Sequence, residues 1–593
     1  MRWRRQKALF RDIFLSAGSS SNMRESLCSM PTPATVPHGT SYCATHVMPA
    51  KATAHTRNSR MERIATTLEA HPWMALGGLS VLYWAIVLVQ SALKLLWLDE
   101  LITFYVARLG SARAIWSALL RGTDPNPPLI HILSMWAMRV FGQNALGLRM
   151  PAMLASWAGM TGLYLFLRAR LSVIFSMIGV CSFMAMAGFD YSYEGRSYAF
   201  LLCFSIVSLL LWRQIVESRN ENLPAIGLAL ALAAGISSNY FGGLAVFPIA
   251  IGEAARTFQQ KRFCWRVWLA LLAGSASILA YLPLIHAAMI RFIPHAWNKA
   301  DIRNIPGAYF EMTDYVLVPA LILLAAVPAT NILRGRGWRM PWDQNREVQP
   351  STKEKSSPPH EMAAIITLGL YPVLGYGIAT AMSGMISPRC AIPVCYAFAI
   401  LIAASAYRLF AGKKKPAILL LALFLTWIGA RESVLSVCGF QQRHAFASLL
   451  NHLPVSSGAE KILVPDIALV LPFDYYAPPD IASRVVFPID FRAIHKYQSN
   501  DGGEQNLWAG GNHVFPMPLE KVASLEAENA GESLIVASTN NWFLHDLRDA
   551  GYRPVLLGFA PNSAHISDLK RLTRKPDPAY FTVNLSKPDK ENP

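Results

Sequence analysis

Met74-Ala75-Leu76-Gly77-Gly78-Leu79-Ser80-Val81-Leu82-Tyr83-Trp84-Ala85-Ile86-Val87-Leu88-Val89-Gln90-Ser91-Ala92-Leu93-Lys94-Leu95-Leu96 is almost uncharged and then breaks into Trp97-Leu98-Asp99-Glu100-Leu101. About 20 apolar residues suffice to cross a bilayer as a helix, so this run reads as a membrane span. Asp99 and Glu100 at its end are costly beside lipid unless they do something. Ten more apolar stretches follow, at about 148–168, 171–190, 196–217, 223–240, 241–256, 266–290, 312–333, 361–383, 388–408 and 416–437. The fold class that follows is mainly α, a polytopic helical bundle of about 11 spans.

Composition agrees. The chain has 593 residues, 53% hydrophobic and 15% charged, with mean hydropathy +0.29; soluble proteins carry roughly 25% charge. The net charge of +17 does not point to nucleic acid. It lies largely in the first 70 residues and in short loops such as Lys261-Arg262, Arg334-Gly335-Arg336 and Lys413-Lys414-Lys415, the pattern of cytoplasmic loops facing anionic lipid.

Those basic loops fix orientation by parity. Arg213 and Arg219 lie inside, the Asn239-Tyr240 turn outside, Lys261-Arg262 inside and Lys413 to Lys415 inside. The N-terminus is then cytoplasmic, and everything after about residue 438 is extracytoplasmic. Loop 97–147 must start and end outside, so its apolar stretch 127–142, which opens on a Pro pair, is expected not to cross. The protein is expected in the cell (inner or plasma) membrane.

Three regions follow: a disordered basic cytoplasmic tail at 1–72, a transmembrane domain at 73–438 with external loop 97–147, and a small α/β domain at 439–593. The tail is rich in Arg, Ser, Thr and Pro; its short apolar runs are interrupted by Arg11 and Asp12, unlike a cleaved signal peptide, and Met61 is an alternative start. In the C-terminal domain, strands are expected at 461–464, 484–487, 533–537 and 554–557, with a helix at 541–550. Asp501-Gly502-Gly503 and Gly510-Gly511-Asn512 read as loop turns. The eight cysteines show no zinc-type spacing, and none follows Cys438.

The candidates for chemistry cluster on the external side. Asp99 or Glu100 suits a general base; the bland alternative is that Asp99 caps the next helix, with Glu100 favouring its dipole. Asp124, in Asp124-Pro125-Asn126-Pro127-Pro128, places a second carboxylate at the far end of the loop, though an acid before a helix-starting Pro is also ordinary. His131 lies one turn further on, as a positioning group or a structural histidine. Arg196, in Tyr193-Glu194-Gly195-Arg196-Ser197-Tyr198, and Arg389, in Ser387-Pro388-Arg389-Cys390, suit a phosphate or simply snorkel. His295 and Trp297, in loop 291–311, are candidates for a mobile lid.

In this order, these residues resemble the membrane-embedded GT-C glycosyltransferases, closest to the family 39 group that includes protein O-mannosyltransferases and lipid A aminoarabinose transferases. The pieces are Asp99-Glu100 after the first span, Pro127-Pro128-Leu129 before an apolar helix ending at Phe141-Gly142, Leu148-Arg149-Met150-Pro151-Ala152, and Glu194-Gly195-Arg196-Ser197-Tyr198. The resemblance covers roughly 74–440. The chain departs from the family at Asn126, where many relatives have His, at Gly195, where Ala is commoner, and at Cys390, where bacterial relatives often have Tyr.

The resemblance implies a GT-C-like bundle that takes a sugar from a polyprenyl-phosphate donor on the external face, by single displacement with inversion. It implies Asp99 as the catalytic base with Glu100 beside it, and Asp124 and His131 positioning acceptor or donor. Arg196 and Arg389 would bind the donor phosphate. No cofactor is certain and a divalent metal is possible, since some relatives bind one near the second acidic residue, but no ligand set is assigned here. Expected partners are the polyprenyl-phosphate sugar donor, membrane lipid and a glycan, lipid or protein acceptor. The alternative from another class is a transporter or flippase of lipid-linked saccharides, which usually carries polar groups near mid-membrane and two related halves; neither is evident here. A membrane-anchored sensor would need far fewer spans.

Overall fold

Helix Pro72–Leu93 shows how this bundle is built. Its buried residues Ala75, Leu79, Tyr83, Val87, Gln90 and Ser91 form one stripe at helical spacing. The remaining faces stay apolar and exposed, as at Trp73 and Val81, which is what a lipid solvent permits. At 22 residues the helix is roughly 33 Å long, enough to cross the hydrocarbon core.

The computed structural model describes residues 60–217, 221–296, 298–333, 358–382, 384–451, 453, 461–498, 500–529, 533–538, 542–559 and 579–584. All belong to one contact unit, Asn58–Pro593. Of the expected tail, residues 60–70 form helix Arg60–Ala70. Glu69 at its end accepts from the backbone N–H groups of Val173 and Ile174. Residues 1–59 lie outside the described residues, as does Trp297.

Six described helices are long and apolar enough to cross a membrane, or eight if two bent pairs each count as one span. Several of the eleven expected stretches fall on shorter or broken helices. Residues 223–240 fall on Asn222–Ser238, of 17 residues, and 388–408 on the turn Pro388–Ala391 with Val394–Leu409, of 16 residues. Residues 171–190 form a pair bent by 78°, and 361–383 a pair bent by 55°. Pro372, the second residue of the second helix of that pair, Tyr371–Met382, lacks the N–H a continuous helix needs there. Helix Leu129–Phe141 has 13 residues, roughly 20 Å, which falls short of a span as parity requires.

Two helices run between two buried groups of charges. Ala145–Arg168 and Tyr198–Glu217 begin beside Asp99 and Glu100 and end beside Arg170, Arg213 and Glu361. The latter helix has 20 residues, which puts the groups roughly 30 Å apart. At the far group, Arg213 Nε lies 3.1 Å from Glu361 Oε1, and Arg170 Nε donates to Glu361 Oε2 at 3.1 Å.

The last long helix, Lys414–Asn451, has 38 residues and continues through residue 438 into the C-terminal region. There six strands form one sheet: β1 (Ile462–Leu463), β2 (Val485–Ile489), β3 (Leu519–Lys521), β4 (Ser533–Ser538), β5 (Val555–Phe559) and β6 (Ala579–Asn584). Their order is β3-β2-β1-β4-β6-β5. The first four are parallel, while β6 runs antiparallel to both neighbours. The expected strands coincide with β1, β2, β4 and β5, and the expected helix with Trp542–Asp549. The two Gly-containing turns are corrected: Gly502–Gly510 is a helix and they are its ends.

The sheet does not bury its core alone. Leu101, Phe104, Tyr105, Met135 and Leu148, from loop 97–147 and the helix after it, share one apolar cluster with Val464, Phe473, Phe487 and Phe515. A separate, larger cluster fills the bundle.

Candidate active site

Helix Leu98–Arg108 starts from an extended Trp97, which is its N-cap residue. Asp99 and Glu100 therefore occupy the first turn, where the helix dipole favours them, and Asp99 is not the cap. One residue apart, they point in different directions and meet different fates.

Glu100 is fully buried. Arg149 grips it with a two-pronged fork, Nε to Oε1 and Nη2 to Oε2, both at 2.7 Å. The Gly195 N–H donates to the same Oε1 at 2.7 Å. Arg149 gives its other donors to the carbonyls of Ser91, Lys94 and Leu95, so all five are used. Burial alone would raise the Glu100 carboxyl, but the Arg149 charge and hydrogen bonds hold it below its ordinary value. A Cβ at residue 195 would sit 2.7 Å from Leu148 Cγ, which explains glycine there in place of the commoner alanine.

Asp99 instead keeps a side chain 28% exposed. Arg389 Nη1 reaches its Oδ2 at 3.1 Å, and Arg196 Nη2 stands 3.9 Å from the same oxygen. Arg196 Nη1 binds Asp124 Oδ2, the Asp99 carbonyl and Thr103 Oγ1, each at 2.9 Å. Arg196 is thus a bridge between the two ends of loop 97–147, and Arg389 is the more exposed guanidinium, at 18% against 8%. Lys94 pairs with Glu194, so residues 194, 195 and 196 are each tied to the 94–100 segment.

Asp124 is held from both sides. Its Oδ1 accepts from the Asn126 backbone and side-chain amides at 2.9 and 2.6 Å. Burial alone would raise its carboxyl, and Arg196 foremost keeps it lowered. His131 Nε2 lies 3.7 Å from Asp124 Oδ2. Burial pushes this imidazole down to about 4 despite Asp124, so it is neutral at pH 7. Both Asp124 oxygens are occupied and a guanidinium stands where a cation would sit, so a divalent metal does not fit beside Asp124.

His295 lies elsewhere. Its Nδ1 is 2.7 Å from Asp501 Oδ1, while His495 Nε2 is 3.2 Å from Asp501 Oδ2. The three donor atoms lie within 4.8 Å of one another, a set whose chemistry suits a divalent cation. The loop around it is anchored rather than loose: Ala300 N donates to Gly384 O and Ile386 N to Asn298 O. Gly122 links this junction to the Asp124 loop. At φ +96° it ends helix Ala112–Arg121, and a Cβ there would meet Arg291 Cβ at 3.5 Å and Ala509 Cβ at 3.9 Å.

The structure therefore brings Asp99, Asp124, His131, Arg196 and Arg389 into one group, puts Glu100 behind it in a closed ion pair, and leaves His295 at a separate junction. Sequence reasoning did not assign roles to Arg149, Lys94 or Glu194. The signal was available: Arg149 and Lys94 are charges inside apolar stretches, where a charge needs a partner.

A family model described as dolichyl-phosphate-mannose-protein mannosyltransferase matches residues 125–287, which include Arg149 and Arg196. Two crystal structures of ArnT from Cupriavidus metallidurans share the fold. The one bound to undecaprenyl phosphate has a TM-score of 0.50 at 12% identity, covering 86% of this chain and 99% of that one. The apo form gives 0.51 at 11% identity with the same coverage. No curated protein sequence matches this chain.

Proposed function

We propose that this chain is a membrane glycosyltransferase of the GT-C type and that it moves a sugar from a polyprenyl-phosphate carrier to an acceptor hydroxyl on the extracytoplasmic face; the family-model match over residues 125–287 and the fold shared with ArnT support this reading. The observation that carries this reading is the state of Asp99. It is the acid of this group that remains part-exposed, and it lies between two guanidinium groups. That is the arrangement an inverting displacement needs: a base at the acceptor and fixed positive charge at the leaving phosphate. The undecaprenyl phosphate bound by ArnT supports a lipid phosphate of this class as the carrier.

In the proposed step, Asp99 takes the proton of the acceptor hydroxyl. The acceptor oxygen attacks the anomeric carbon, and the bond from that carbon to the phosphate oxygen breaks. The electron pair leaves with the lipid phosphate, whose charge Arg389 balances. Arg196, committed to Asp99, Thr103 and Asp124, fixes the loop and adds to the positive field. Glu100 holds the backbone in place through Arg149 and Gly195. Bound at their junction, a divalent cation on His295, His495 and Asp501 would fasten the 293–304 segment to the C-terminal domain and would take no part in the bond exchange. Both charge groups lie at helix ends rather than at mid-span, which counts against the transporter reading.

The test is sugar transfer from a polyprenyl-phosphate sugar by the purified protein, with Asp99→Asn alongside. Full activity in the variant would remove Asp99 as the base. Transport of the lipid-linked sugar without transfer would replace the enzyme reading.

A further inference from the structure

Trp97 is two residues before Asp99, and its ring lies under Arg389, with the guanidinium carbon 4.9 Å from the ring centroid. Its indole Nε1 is buried and has no hydrogen-bond partner. An indole N–H is a donor only, and buried ones normally find an acceptor because an unmet buried donor keeps its full desolvation cost. Elsewhere in this chain they do. Trp157 donates to Ser80 Oγ, Trp212 to Glu253 and Trp542 to the Pro465 carbonyl. Trp268 Nε1 is also unmet, but its ring stacks on Phe263, and no cation lies over it among the described residues.

Trp97 is not isolated in this state. Arg196 Nε is likewise buried without a partner, although the Nη1 of the same group is fully engaged. Ser387 Oγ, two residues before Arg389, is a third. On the far side of Glu100, Arg149 has every donor satisfied; Arg213 Nε, at the other end of the bundle, is also unmet but faces Glu361 Oε1 at 3.1 Å, whereas Trp97 Nε1 has no acceptor among the described residues. An indole N–H and a guanidinium N–H offer protons and accept none. A ligand that satisfies both beside a positive charge must be rich in acceptors and anionic, which describes a phosphate better than a sugar hydroxyl.

We infer that Trp97 donates its indole N–H to a phosphate oxygen of the lipid-linked substrate, while its ring holds Arg389 against the same phosphate. The inference rests on the lipid-phosphate reading of the site and adds a recognition residue to it.

Trp97→Phe separates the two roles, because phenylalanine keeps a ring under Arg389 and removes the N–H. With full-length protein in nanodiscs, Trp97→Phe should weaken undecaprenyl phosphate about tenfold, the worth of one hydrogen bond to a charged group. Undecaprenol, which lacks the phosphate, should bind both proteins alike. In the transfer assay KM for the lipid-linked substrate should rise about tenfold with kcat within about twofold. Trp97→Ala, which also loses the cation–π contact, should bind more weakly still. In wild-type protein carrying 15N-indole tryptophan, one N–H resonance should move downfield on adding undecaprenyl phosphate and stay still with undecaprenol. Wild-type affinity in Trp97→Phe, or no moving indole resonance, overturns the inference. Lipid phosphate binding that depends on Trp97, in a protein that transfers no sugar, would sink the proposed reaction and leave this inference standing.

Discussion

The two ends of helix Tyr198–Glu217 carry two buried charge groups built from the same residue types. At one end Glu361 lies between Arg170 and Arg213, and Glu253 is closed off by Arg256 and Trp212. At the other, Glu100 is closed off by Arg149 in the same manner, but Asp99 is part-exposed and its neighbours hold unmet donors. Buried ion pairs are weak evidence of function, since their desolvation cost largely offsets their attraction. What separates a site from a structural cluster here is the part-exposed Asp99 with the unmet Trp97 indole beside it; the one unmet guanidinium donor of the far group, Arg213 Nε, still lies 3.1 Å from Glu361 Oε1.

The sharpest way to test that contrast is to neutralise each acid in turn. Asp99→Asn should lower transfer about 10²- to 10⁴-fold, the range for loss of a positioned base, while thermal unfolding in detergent hardly moves. A variant that loses stability but keeps its rate would place Asp99 with the structural acids. Arg149→Ala should do the reverse. It leaves Glu100 buried and unpaired, at a cost of about 3–5 kcal/mol, read as loss of folded protein in thermal melts. Glu361→Ala should destabilise by about 3 kcal/mol for the same reason, with kcat unchanged in the protein that survives. A fall in kcat there would show that the far end takes part in the reaction.

His131 offers a pH test. Its folded-state value is depressed to about 4 from roughly 6.5 when unfolded. Its contribution is therefore complete above about pH 6.5 and is lost as pH falls toward 4, by on the order of 3 kcal/mol. His131→Gln should flatten that part of the stability curve, and equal acid sensitivity of variant and wild type would show that His131 is not the titrating group. The smallest effect concerns the C-terminal domain, whose Tyr476 hydroxyl accepts from the Leu96 N–H at 2.8 Å. Tyr476→Phe should cost about 1 kcal/mol, and a matching drop in kcat would extend the site to that domain.

Much of this architecture was legible in the sequence. Apolar length marks the bundle, and β1, β2, β4 and β5 stand out as short apolar runs. Asp99, Asp124, Arg196 and Arg389 each stand out as charges beside apolar stretches. What was not legible is pairing. Asp99 and Glu100 look alike as neighbours, and they are told apart by Arg149, 49 residues from Glu100, and Arg389, 290 residues from Asp99. Of the two bends, the one in 361–383 has a sequence signal in Pro372, while the apolar run 171–190 shows no such break. The three-residue β3 is too short and too polar to read as a strand. The helix Gly502–Gly510 was hidden by glycines at both ends, where Gly502 is crowded: a Cβ there would lie 2.7 Å from the His295 carbonyl.

The apolar cluster shared by loop 97–147 and the C-terminal sheet has a consequence in time. Tyr105 bonds Asp474, 369 residues later in the chain, and Phe104 packs on Tyr475. At about 5–20 residues per second of synthesis, helix Leu98–Arg108 leaves the ribosome roughly 20–70 seconds before its cover is made. During that interval Leu101, Phe104 and Tyr105 lack the partners that later bury them. Biogenesis of this protein therefore includes a long-lived half-built state, and a shield over this one helix would matter most to its yield.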